Sequence, residues 1–190
     1  MPRTKEQFED MRGKSKKKMM DTALEFFSQY GYHATSISKI AKEAGIAKGL
    51  VYNYFGSKEE LLSEIIKREV NQFNELFHAF TKEAVTKNDV ISLIEQIFEA
   101  VKQHISTWKL FFRMMLQPEV SELAKHDMAD FSHHVSHFSV DYFTIKGESN
   151  PTLKAKALAA LLHGAFFQYM LNEDDEMLEL AKNEIFEKFL

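Results

Sequence analysis

Residues Thr35–Leu62 read TSISKIAKEAGIAKGLVYNYFGSKEELL, and two glycines, Gly45 and Gly56, cut the stretch into three pieces. In the first, Ser36 is placed to cap a short helix whose Ile37, Ile40, Ala41 and Ala44 share one face, and Gly45 ends it. Only Ile46 and Ala47 separate it from Lys48–Phe55, where Leu50, Val51, Tyr54 and Phe55 fall to one side. Lys48, Tyr52 and Asn53 are left to face outward. Behind Gly56, Ser57-Lys58-Glu59-Glu60 has the S-x-x-E form of a capping box, Ser57 accepting from the Glu60 amide and Glu60 reaching back.

Upstream, Met20, Leu24, Phe27 and Tyr30, flanked by Met19, Ala23 and Phe26, recur at helical spacing and stop at Gly31. Before them the sequence predicts a loose polar arm over residues 1 to about 11. Two short helices joined by a glycine-containing turn and set against a longer one describe a helix-turn-helix, its second helix the recognition helix. Asn and Lys reach base edges, whereas Tyr hydroxyls and Lys hold phosphates. Lys58 is badly placed for the dipole of the helix it opens, but a cation beside exposed amides suits a phosphate.

Charge divides in the same way. Residues 1–56 hold ten Lys or Arg against six Asp or Glu, and residues 57–190 hold fourteen against twenty-two. Only the N-terminal part is therefore suited to a polyanion. Arg3 and Lys5, with five cations from Arg12 to Lys18, suit a solvated basic arm or one that enters a minor groove. No apolar run approaches the roughly 20 residues needed to span a bilayer, and Asp21 and Glu25 interrupt any signal-like core, so a cytoplasmic protein without membrane contact is expected. The chain has no cysteine, which excludes disulfides and thiolate chemistry.

The stretch from Lys16 to Leu62 closely resembles the DNA-binding segment of the tetracycline-repressor (TetR) family of bacterial transcriptional regulators. The resemblance implies that Thr35 touches a phosphate near the start of the second helix. Lys48, Gly49 and Asn53 would face the groove, Tyr52 and Tyr54 would contact backbone or bases, and Lys58 would grip a phosphate. Ala47 departs from the family pattern, which often has Ser or Thr there. The recognition helix thus lacks a side-chain cap, a loss of about 1 kcal/mol.

From Lys58 onward the periodicity predicts long helices: one through Leu61, Ile65, Ile66, Val70, Phe73, Phe77 and Phe80, another from about Asn88 to Ile105. A short WKLFFRMM segment stops before Pro118, and a long helix follows to about Ile145. Asn150-Pro151 opens an antiparallel pair, Thr152–Leu171 and about Glu173–Phe189. The expected fold is all-α: a three-helix helix-turn-helix DNA-binding domain with its basic arm over residues 1–56, and a helical ligand-binding and dimerisation domain over residues 57–190. The resemblance implies a small-molecule pocket in the C-terminal part and pairing of the last two helices with a second copy. Ala159, Ala160, Gly164 and Ala165 permit close helix approach. Phe77, His104, Trp108, Phe111, Phe112, Met115, Phe131, Phe138, Phe166 and Tyr169 are the candidate pocket residues, since aromatics and methionines suit an adaptable apolar cavity and equally an ordinary core.

His126, Asp130, His133, His137 and Asp141 recur at steps of four, three, four and four, the composition of a transition-metal site or of a solvated helix face. No metal or cofactor is assigned, and the lack of a nucleophile paired with a base argues against an enzyme. The reading is a homodimeric regulator of operator DNA, associated with the nucleoid when bound, and a repressor released by a small, largely apolar effector. The alternatives are a metal-responsive regulator using the His/Asp stripe, or a nucleoid or division factor that binds DNA without controlling promoters.

Overall fold

Helix α1 (Lys5–Tyr30) begins well before the first apolar stripe. The loose arm expected up to residue 11 is thus helical from Lys5. Gln7, Glu9 and Met11 favour helix, and Lys14 holds Asp10 one turn back at 2.7 Å. The computed structural model of the chain describes residues 5–78 and 85–190, and among these residues every regular element is a helix. After α1 come α2 (Ile37–Ala44), α3 (Lys48–Tyr54), α4 (Lys58–His78), α5 (Lys87–Gln103), α6 (Ile105–Met115), α7 (Pro118–Ile145), α8 (Pro151–Asn172) and α9 (Asp175–Phe189). The chain is all-α. None of the described helices is long and apolar enough to cross a membrane.

Two compact units form. One comprises Met1–Glu69 with Leu110–Met128, the other Val70–Lys109 with Ala129–Leu190. The division expected between residues 56 and 57 falls inside the first unit. Leu61, Leu62, Ile65 and Ile66 of α4 are fully buried, and two ion pairs tie that half of α4 to α1: Lys16 to Glu64 at 2.6 Å and Arg68 to Asp21 at 2.7 Å. The first core is completed by Met19, Phe27, Ile40, Ala44, Val51 and Phe55.

In the second unit a reciprocal capping box of Thr86 and Asp89 starts α5, which buries Val90, Leu93, Ile94, Ile97, Phe98 and Val101. Asn150 caps α8 with Pro151 in its first turn, as the sequence predicts. The last helix starts two residues later than expected. Glu173 takes a left-handed conformation (φ 50°) that ends α8, and Asp174 caps α9 by accepting from the Met177 amide. The far end of α9 is held by Lys146, whose Nζ donates to the Phe189 carbonyl at 3.0 Å.

Candidate nucleic-acid interface

Helix α2 is fixed before α3 is placed. Ser36 accepts from the Lys39 amide, and Gly45, at φ 66°, turns the chain with its amide donating back to Lys42. Helix α3 follows after two residues, and Ala47 gives it no side-chain cap bond. Only Val51 of its seven residues is buried, with Phe55 just beyond it; Tyr54 is half-buried. Lys48, Gly49, Tyr52 and Asn53 are exposed together. Leu50 joins them at 37% exposure, contrary to its expected place on the apolar side, because one residue from Val51 is a rotation of about 100° around the helix. An exposed apolar side chain here matches a thymine methyl group.

Arg12, whose helical register the expected arm concealed, lies over the Tyr54 ring at 5.3 Å. This cation sits at the C-terminal end of the recognition helix. Thr35 does not join the exposed face. It is 1% exposed, and its hydroxyl donates to the Phe26 carbonyl at 3.2 Å, so it fastens the loop to α1 instead of reaching outward. Lys58 also works inward: its Nζ donates to the carbonyls of Tyr32 (3.0 Å) and Thr35 (3.2 Å) and lies 4.2 Å above the Tyr32 ring. Two of its three donor hydrogens are engaged, leaving one for a phosphate.

Ser57 accepts from the Glu60 amide at 3.1 Å, but Glu60 reaches back to the Gly56 amide, at 2.8 Å, one residue beyond the expected cap. Glu59 accepts from the Tyr32 hydroxyl at 3.2 Å. Burial, with the Glu59 carboxylate beside it, pushes the Tyr32 hydroxyl far above the usual phenol range. The Glu59 carboxyl is held below its ordinary value, first by its own backbone amide and then by the Ser57 hydroxyl. Tyr32 therefore stays a neutral donor.

The candidate ligand residues divide between the two units. In the second unit Trp108 and Tyr169 are buried, Phe138 and Phe166 half-buried, and Phe166 meets Phe98 edge-on at 4.9 Å. Tyr169 donates to Asp175 at 3.1 Å, and His104 is exposed at the end of α5. In the first unit Phe111 is buried, and Phe112 and Met115 are half-buried. The side chains of Phe77 and Phe131 lie outside the described residues. None of the described candidates lines the open cleft of about 350 Å³ in the first unit, which runs between α4 and α7 past Glu59, Lys67, Leu123 and Asp127. Along the histidine stripe, His137 meets Asp141 at 2.8 Å and the His133 and His137 rings are 5.8 Å apart. Among the described residues no three His, Asp or Glu converge as metal ligands.

A short helix held by one buried side chain, presenting Lys, Tyr and Asn behind a two-residue turn, defines a helix-turn-helix DNA-binding regulator. Residues 19–65 match the family model described as bacterial regulatory proteins, tetR family. That match covers 47 of the 190 residues and assigns the helix-turn-helix segment to the family. The fatty acid metabolism regulator protein of Bacillus subtilis is 38% identical over 76 residues, a match that spans 40% of this chain and only 39% of that protein. The HTH-type transcriptional regulator BetI of Vibrio campbellii is 24% identical over 188 residues, 92% of each chain. Among solved structures, the transcriptional regulator FadR from Bacillus subtilis in complex with stearoyl-CoA superimposes with a TM-score of 0.71 at 20% identity, over 90% of this chain and 95% of that one.

Proposed function

We propose that this regulator is a homodimeric repressor whose hold on operator DNA is released by a small, largely apolar effector. The observation that carries the reading is the exposed Lys48, Gly49, Tyr52 and Asn53 on a helix anchored by Val51. Lys48 and Asn53 read base edges with Leu50, Tyr52 and Tyr54 hold the rim, and Lys58 meets a phosphate with its remaining hydrogen. The first three helices with the start of α4 supply the reading surface and the later helices the control.

Dimerisation is supported by the outer face of α8, where Leu153, Leu161, Phe167 and Leu171 are all more than 40% exposed, with Ala157, Ala160 and Gly164 between them. Ala165 is buried within the chain and drops out of the small-residue set that the sequence predicts at this contact. Paired copies place two recognition helices on an inverted repeat. A fatty acyl effector is the class to try first. The FadR structure holds stearoyl-CoA, the Bacillus subtilis relative regulates fatty acid metabolism, and Trp108, Phe138 and Phe166 offer the apolar lining such a chain needs.

Selection of the purified protein on random duplex DNA tests the reading, followed by titration of the recovered sequence with stearoyl-CoA. An inverted repeat released by the thioester is the expected result. An unenriched pool would refute operator reading, and an enriched repeat indifferent to stearoyl-CoA would refute the acyl effector alone.

A further inference from the structure

Gln117 is the second of two residues between α6 and α7, and its side-chain amide is spent on the far end of α1. Its Nε2 donates to the Phe27 carbonyl at 2.7 Å, and its Oε1 accepts from the Tyr32 amide at 2.7 Å. Those two backbone groups are natural partners of each other. With Gly31 left-handed (φ 90°) just past the last helical residue, the bond that closes a Schellman cap runs from the amide of residue 32 to the carbonyl of residue 27. Here the Gln117 amide stands between them, donating to one and accepting from the other as a peptide group would.

The cap of α1 therefore has two complete arrangements. With Gln117 inserted, the Phe27 carbonyl and the Tyr32 amide are both paired. With Gln117 withdrawn, Tyr32 closes directly on Phe27, so both backbone groups are again paired while the Gln117 amide turns to solvent, and the loop after Gly31 moves in by the depth of an amide group. An element with two satisfied states is the kind that carries coupling. Tyr32 is well placed to pass the difference on. Its carbonyl holds Lys58, its hydroxyl holds Glu59, and its ring packs edge-on against Phe27 at 5.1 Å. Helix α2 starts five residues later.

We infer that insertion and withdrawal of Gln117 in the α1 cap is a switch that repositions the helix-turn-helix, so that the α6–α7 corner reaches the recognition helix through Tyr32. This rests on the reading of the chain as an operator-binding regulator. Gln117 is a positioning residue and touches no DNA.

The test uses the full chain and the repeat that the wild type selects. Gln117→Ala leaves only the closed cap, and operator affinity moves by roughly tenfold in either direction, the scale of an ordinary coupling. Gln117→Glu keeps the size of the side chain; its ionised carboxylate accepts from Tyr32 but cannot donate to Phe27. Measured against wild type at each pH, its affinity follows Gln117→Ala near neutrality and returns to wild type as acid protonates the carboxylate. A side chain that only fills space would give no such profile. Gln117→Ala affinity within twofold of wild type, or a Gln117→Glu ratio that is flat with pH, would overturn the switch. Should the alanine variant fail to fold, the isosteric variant decides. A wild-type chain that selects no sequence overturns the functional reading and the switch with it, whereas a normal operator with unaltered variants overturns the switch alone.

Discussion

At the scale of single residues, the two lysines assigned to DNA have different surroundings and separable consequences. Lys48 is exposed at the start of α3, so Lys48→Ala should lower the salt dependence of DNA binding by about one ion and leave the melting temperature unchanged. Lys58 holds the carbonyls of Tyr32 and Thr35, and Lys58→Ala should cost about 1–2 kcal/mol of stability as well as affinity for every sequence. Chemical denaturation beside salt titration separates them; an unchanged denaturation midpoint for Lys58→Ala would refute its bracing role. Asn53→Ala should relax base choice at one position of each half-site, read by repeating the selection with the variant. The sequence makes Lys48, Tyr52 and Asn53 legible because their neighbours Val51 and Phe55 mark the opposite side. It misplaces Thr35 and Leu50: a hydroxyl that turns inward to Phe26 depends on where α1 ends, and a leucine on the polar side obeys helix phase against its own hydrophobicity.

At the scale of elements, the sequence places α2, α3 and α8 well because each carries its own punctuation: Ser36 and Gly45, the short Ile46-Ala47 turn, Asn150-Pro151. It loses the first turns of α1, whose polar residues give no apolar period to follow, and the start of α9, set by the left-handed Glu173. The hairpin of α8 and α9 supports two measurements. A methyl group added at Gly164 meets nothing within 4 Å in its own chain, so Gly164→Ala should raise helix stability by up to about 1 kcal/mol. The same methyl should weaken the dimer, and sedimentation that finds the two copies equally tight would move the interface elsewhere. Asp175 accepts from Tyr169, pairs with Lys102 at 3.0 Å, and is held below the usual carboxylate range by the bonds from Lys102 and then Tyr169. A carboxyl lowered in the fold contributes stability above its ordinary range and loses it as pH falls through the lowered value. Wild type should therefore outlast Asp175→Asn in denaturant at neutral pH, and the two should converge in acid.

At the scale of the whole molecule, control of DNA by a ligand requires the effector side to be separable from the reading side. Trp108→Ala should alter the response to stearoyl-CoA while leaving operator affinity within about twofold, since ligand and DNA are coupled and not coincident. Equal thioester affinity in the variant would return Trp108 to the core. The proposed pocket is the least legible part, because the same aromatic and methionine composition fills a cavity or a core, and which one depends on how long helices meet. The helix-turn-helix has a consequence of another kind. A single valine, backed by the phenylalanine after the helix, anchors α3, and the outward residues contribute almost nothing to folding. Those positions are free to drift through evolution without endangering the scaffold. Gene duplicates could acquire new target sites by exchanging four or five letters of the chain, each intermediate remaining a folded protein.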